Sequence, residues 1–308
     1  MKILMLTPYV TLAGHPEFER NKTGFGYMVM DIARAIGKSE KVDLLATDTL
    51  GAEFEHEGVS FLKRSARTFL FNLFRCLSLK SLFQLWKRYR MSKGTFIRLV
   101  YYWFITGYVV QIIKSGSYDI VHIHGCGFGT DIWIRACQKC NQKYLITLHG
   151  LNSFSDTVPL EPAGKKYERD FLKRVIDGEL SITVISTGIK KLIEREYNKN
   201  NCDNIFVVSN SFSFTNYKNF TNIRNQYGLA ENSKIIICVG NVCPRKNQNQ
   251  LIKAFQYLPK TLALTTYILF IGDNSQSDYN IEKLSENNPW KTHMISVGIV
   301  PKENINPF

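Results

Sequence analysis

A glycine turn followed by two adjacent cations is the arrangement in this chain best suited to hold a phosphate. An apolar run ends at Val239, Gly240 and Asn241 follow, and Arg245 and Lys246 come just before a stretch of helical period. Gly240 lets the backbone turn sharply, and the two cations fall where the next helix is expected to begin. Free amides and the helix dipole there would reinforce the side-chain charges, making a natural pyrophosphate site. A solvated basic helix cap would carry the same residues. His149 follows the apolar run 144–148 and precedes Gly150, while His122 and His124 alternate at the end of the run 120–124. A lone histidine is often a satisfied core group, but ligands bind beyond the carboxyl ends of parallel strands, which favours a functional His149. His122 and His124 share a strand face, as two zinc ligands would. No third ligand stands at a definable spacing, so no metal is expected. Cys137 and Cys140 form a lone C-x-x-C and read as two ordinary thiols.

Other nucleotide signatures fail. The stretches beginning at Gly24 and at Gly125 each lack the third glycine of a dinucleotide fingerprint, and no G-x-x-x-x-G-K-[ST] loop occurs. No helix-turn-helix, zinc-finger or RNA-recognition pattern is present, so no nucleic-acid partner is expected.

The elements that must position these residues follow from periodicity. Short apolar runs at 3–6, 41–46, 120–124, 144–148, 182–185 and 205–208 alternate with helical patterns at 27–37, 131–141, 165–177 and 189–197. This is the signature of an α/β fold with parallel sheets. After Val208 the composition shifts to Ser, Asn, Phe and Thr without period, which reads as a linker. A second alternation places strands at 234–239, 266–271 and 294–297 and helices at 247–258 and 281–286. The expected organisation is an amino-terminal domain over 1–212, a linker over 213–231 and a second domain over 232–308, small for a Rossmann-like unit.

The formal net charge is +13, so some face should attract phosphates, acidic polymers or an anionic bilayer. Segment 58–118 contains eleven Lys and Arg residues and no Asp or Glu. Apolar residues spaced at 70, 73, 74 and 77 lie between those cations, which suits a helix at a membrane interface. Ordinary domain helices with solvated cations would also fit. The longest apolar stretch, 99–113, is shorter than the roughly 20 residues of a bilayer span. The first residues lack a signal-peptide core. Seven scattered cysteines, an odd number, suggest a reducing cytoplasm. The localisation expected is therefore cytoplasmic, peripheral at the inner face of the membrane.

The motifs, in this order and over nearly the whole chain, resemble those of GT-B fold glycosyltransferases of family 4. The segment Gly240 to Lys246 resembles that family's donor-phosphate motif, and Gly24, Phe25 and Gly26 resemble its glycine loop beneath the phosphates and acceptor. The strand ending at His124 is similar to one that ends near the active site, and His149 resembles the histidine facing the donor sugar. Gly272, Gly298 and Ile299 are similar to strand ends that shape the nucleoside pocket. The resemblance implies two Rossmann-like domains of GT-B type facing across a cleft, the second incomplete. It also implies retaining, metal-independent transfer from a nucleotide diphosphate sugar, with no cofactor, to a glycan or lipid-linked acceptor. Two departures stand out. Asn241 replaces the family's first phosphate cation, and no two of Glu231, Glu282, Glu286 and Glu303 have the eight-residue spacing of its glutamate pair. The alternative is therefore a truncated or non-catalytic remnant that keeps acceptor or membrane binding without turnover.

Overall fold

The structure, a computed structural model, describes residues 1–19, 23–48, 53–63, 79–157, 160–210 and 222–300. The chain divides into two compact units, Met1–Phe212 and Ser213–Phe308. Residues 213–221 of the expected linker, and the apolar spacing at 70–77, lie outside the described residues. Beyond them, Ile223–Gln226 forms a short helix capped by Asn222.

The first unit is built on eight strands: β1 (Lys2–Thr7), β2 (Lys41–Ala46), β3 (Phe54–His56), β4 (Val59–Phe61), β5 (Ile120–His124), β6 (Tyr144–Leu148), β7 (Ile182–Val184) and β8 (Ile205–Val207). Their order is β3-β4-β2-β1-β5-β6-β7-β8, and every pairing is parallel except that of β3 with β4. β1 reads as continuous apolar sequence because both of its faces are covered. Leu4 and Leu6 enter one core cluster, and Ile3 and Met5 enter another. Helix Gly24–Gly37 packs Val29, Met30 and Ala33 into the second cluster. Helices Lys93–Gly116, Phe128–Lys139 and Pro162–Ile176 fill the first. Successive strands run outward from β1 to β2, then return to its other side at β5, so the chain reverses direction between β1 and β5.

Two local expectations are corrected. The first helix begins at Gly24 rather than at position 27, because Thr23 caps it and accepts a hydrogen bond from the Gly26 amide. The apolar stretch at 99–113 lies within a helix of 24 residues, which by length and composition could cross a bilayer. It is nevertheless largely core: Leu99, Trp103, Ile105, Val109 and Ile113 are all buried in the first cluster. Arg98 and Tyr102 on this helix both bind Asp48, at 2.8 and 2.7 Å.

The second unit carries three parallel strands, β9 (Lys234–Val239), β10 (Thr266–Ile271) and β11 (Met294–Gly298), in the order β11-β10-β9. Its core gathers Ile252 and Phe255 of helix Gln248–Phe255 with Ile268, Phe270, Ile281 and Met294. β10 is buried along most of its length, whereas β9 leaves Ile236, Ile237 and Val239 exposed.

Gly26 admits no side chain: a Cβ there would lie 2.3 Å from Thr11 Oγ1 and 2.9 Å from its amide nitrogen. Gly94, in the first turn of helix Lys93–Gly116, faces open space. Thermal denaturation should show Gly26→Ala destabilised by about 1–3 kcal/mol through overpacking. Gly94→Ala should be neutral or slightly stabilised, because alanine restricts the unfolded chain.

Candidate functional site

In the first unit the candidate residues converge at the carboxyl end of the sheet, beside the reversal between β1 and β5. His124, the last residue of β5, is fully buried, and its Nδ1 lies 2.9 Å from Nε2 of His149, just beyond β6. His149 Nδ1 in turn lies 3.2 Å from Met28 Sδ. Phe25 meets the His149 ring edge-on at 5.1 Å and Tyr9 at 5.2 Å. A thioether can only accept, so His149 Nδ1 carries the proton. Its Nε2 therefore accepts from His124 Nδ1–H, and His124 Nε2 is left bare, buried and without a partner among the described residues. His122, missed as a partner in this network, lies against His124 with the rings tilted and their centroids 4.0 Å apart, and is held by Thr147 at 2.7 Å.

All three imidazoles are held neutral. Burial lowers His122 to about 4, assisted by His149. Burial alone lowers His149 to about 4. His124 falls well below its usual value through burial, then through His122 and His149. The Gly24 to Gly26 segment lies against this cluster through Phe25, but as the first turn of a helix. The Gly26 amide is spent on Thr23, which leaves those of Gly24 and Phe25 without a partner among the described residues. The hydroxyl signal at Thr23, one residue before a glycine-opened helix, was available in the sequence.

The second unit brings three glycines of its strand ends together. Gly240 and Gly272 adopt φ of +145° and +146°, and a Cβ on Gly272 would fall 2.5 Å from the Gly240 carbonyl. Gly272 N donates to Gly298 O at 2.8 Å. Asn241 Oδ1 accepts from the Asp273 amide at 3.4 Å. Lys246 folds its stem over Gly240, the Cε lying 3.4 Å from where a Cβ would stand. Arg245 is exposed, and Ile299 is exposed beyond Gly298.

The expected position of the cations at a helix start is corrected. Pro244–Lys246 is a 3-10 turn, Asn247 is left-handed with φ 53°, and the α-helix begins only at Gln248. The residue that organises this turn is Gln248, buried and unforeseen. It accepts from Cys243 N at 3.3 Å and donates to the carbonyls of Gly240 and Asn241 at 3.4 and 3.1 Å. Cys137 is buried, its thiol pushed up to about 12 by desolvation, which suits an inert thiol. The six described cysteines are all free.

With these geometries in place, the comparisons can be read. The sequence profile of the glycosyl transferases group 1 matches residues 219–308. No curated protein matches the sequence. Among solved structures the chain is similar to Anabaena HepE in complex with UDP, at 16% identity and a TM-score of 0.59, over 100% of this chain and 71% of that one. It is similar to sucrose-phosphate synthase from Thermosynechococcus elongatus at 16% identity and 0.59, over 100% and 73%. The E. coli trehalose-6-phosphate protein bound with UDP-2-fluoro glucose gives 9% identity and 0.59, over 99% and 75%.

The neutral imidazoles make stability depend on pH. A histidine whose folded value is lowered contributes stability that is present above its unfolded value of about 6.5 and lost as pH falls toward 4. Urea titration should give a lower midpoint at pH 5 than at pH 7, with each imidazole worth on the order of 1 kcal/mol. The difference should shrink in His122→Gln.

Proposed function

We propose that this chain, whose residues 219–308 match the glycosyl transferases group 1 and whose fold is GT-B, transfers a sugar from a nucleotide diphosphate sugar. The acceptor is a glycan or a lipid-linked glycan, the anomeric configuration is retained, and no metal or cofactor is used. The observation that carries this reading is the Lys246 stem folded over the Gly240 turn, where Gly272 and Gly298 close in. Backbone can approach a diphosphate there without side-chain obstruction, and a cation stands beside it.

In the reaction the bond from the anomeric carbon to the diphosphate oxygen breaks, and its electron pair leaves with the phosphate. The acceptor hydroxyl bonds to that carbon from the same face and passes its proton to the departing phosphate oxygen. Lys246, with Arg245, offsets the charge developing on the phosphate. Asn241, Gly272, Gly298 and Ile299 border the nucleoside. His149, held neutral and oriented by His124, positions sugar hydroxyls. UDP and UDP-2-fluoro glucose, bound by two proteins of the same fold, make UDP the first nucleotide to test.

Titration calorimetry with UDP should show binding weakened in Lys246→Ala by about 1.5–3 kcal/mol, the scale of a charged hydrogen bond. Equal affinity in the two proteins would remove the phosphate site.

We further propose that the first unit rests on the cytoplasmic face of an anionic membrane. Phe83, Trp86 and Ile97 are exposed together on helices Leu79–Tyr89 and Lys93–Gly116, with Trp86 and Phe96 rings 5.4 Å apart. Exposed Lys87, Arg90 and Lys93 accompany them. Apolar rings beside cations suit the headgroup boundary. Sedimentation with phosphatidylglycerol vesicles should show salt-sensitive binding that phosphatidylcholine vesicles lack, since exposed charges are screened beyond about 8 Å at physiological ionic strength. The double variant Phe83→Ser, Trp86→Ser should release the protein, and binding indifferent to lipid charge would refute the idea.

A further inference from the structure

A cavity of about 490 Å³ opens within the first unit, between helices Leu79–Tyr89, Phe128–Lys139 and Pro162–Ile176. None of the residues assigned above to donor or acceptor lines it. Three aromatic residues, Tyr89, Tyr167 and Phe171, line it, and the first two rings meet edge-on at 5.6 Å. Most of the remaining lining is charged but balanced. Buried Asp131 binds Arg135 at 2.9 Å and Arg174 at 2.7 Å. Arg88 binds Asp170 at 2.9 Å, and Arg174 also reaches Glu179 at 3.3 Å. The Tyr167 hydroxyl is buried and has no hydrogen-bond partner among the described residues. It lies close enough to Asp131 that, after burial itself, this carboxylate contributes most to raising its pKa.

An unpaired buried hydroxyl is costly, and Tyr167 lines the cavity, so a ligand seated there is in position to pair it. The three guanidiniums are matched by three carboxylates, so a phosphate would face Asp131 and Asp170, and a cation would face the arginines. An apolar ligand would leave the Tyr167 hydroxyl unpaired. A neutral ring rich in hydroxyls answers all of these constraints. Carboxylates accept from it, guanidiniums donate to it, and aromatic faces cover its C–H side. The volume lies within the range of small-ligand pockets, about 300–1,000 Å³. We infer that this cavity is a carbohydrate-binding site, taking a neutral mono- or disaccharide unit apart from the site of transfer. The inference does not rest on the transfer reaction.

The test is saturation-transfer difference NMR and titration of the full chain with glucose, N-acetylglucosamine and maltose. At least one of these sugars should receive saturation. Tyr167→Phe, which keeps the ring and removes the hydroxyl, should weaken that binding about fivefold, the loss of one hydrogen bond, without lowering the thermal midpoint. Gln138→Trp, at the exposed rim, should block it, and His149→Ala should leave it intact. Absence of saturation with all three sugars at millimolar concentration would overturn the inference. So would displacement of the sugar by inorganic phosphate, or binding lost in His149→Ala but retained in Tyr167→Phe. A thermal midpoint lowered by Tyr167→Phe would also overturn it, by showing that the hydroxyl already has an internal partner.

Discussion

Burial of β1 on both faces is the constraint on which the first unit depends. With Leu4 and Leu6 in one core and Ile3 and Met5 in the other, helices must cover the sheet twice. Short connections satisfy this when the chain winds outward on one side, then returns to wind on the other. The return opens a crevice at the carboxyl ends of β1 and β5, because the loops there diverge to opposite faces. Tyr9, Phe25, His124 and His149 occupy that crevice. Their mutual packing excludes water, and the imidazoles are neutral as a result.

Close approach of backbone to backbone plays the corresponding part in the second unit. Gly272 sits against the Gly240 carbonyl at a distance that no side chain tolerates, and both residues hold φ values that L side chains rarely adopt. The strand ends β9 and β10 are thereby drawn together, and Gln248 ties the following turn to them through three hydrogen bonds. The strain of Asn247 in the left-handed region is thus borne where a buried amide holds both sides of the turn.

Charge is distributed unevenly. The net +13 of the chain coexists with a cavity in which arginine and carboxylate cancel, and with a single acid, Asp48, that holds Arg98 and Tyr102 beside the sheet. Where cations stand next to exposed Phe83, Trp86 and Ile97, no carboxylate from the same segment offsets them. Segments of similar composition therefore do different things according to what packs on them.

How much was legible follows from the range of each interaction. The strands at 3–6, 120–124 and 144–148 and the glycine turn at Gly240 are written in local period and local backbone demand, and a linear reading suffices for them. The β3–β4 hairpin went unread because its strands are three residues each, too short to establish alternation. The placement of Arg245 and Lys246 at a helix start failed because Gln248, two residues on, turns inward to bind carbonyls, and propensity does not register that competition. Helix Lys93–Gly116 runs beyond the apolar stretch at 99–113, and its polar amino-terminal end is ordered by partners such as Asp48 and Glu161, far away in the chain. The cavity was invisible for the same reason: Arg88, Asp131 and Tyr167 come from three separate helices. Sequence determines which segments become strands and helices, since those depend on neighbours within a few residues. Only the tertiary structure decides which polar groups are paired and which are left bare, because burial is a property of the assembled fold.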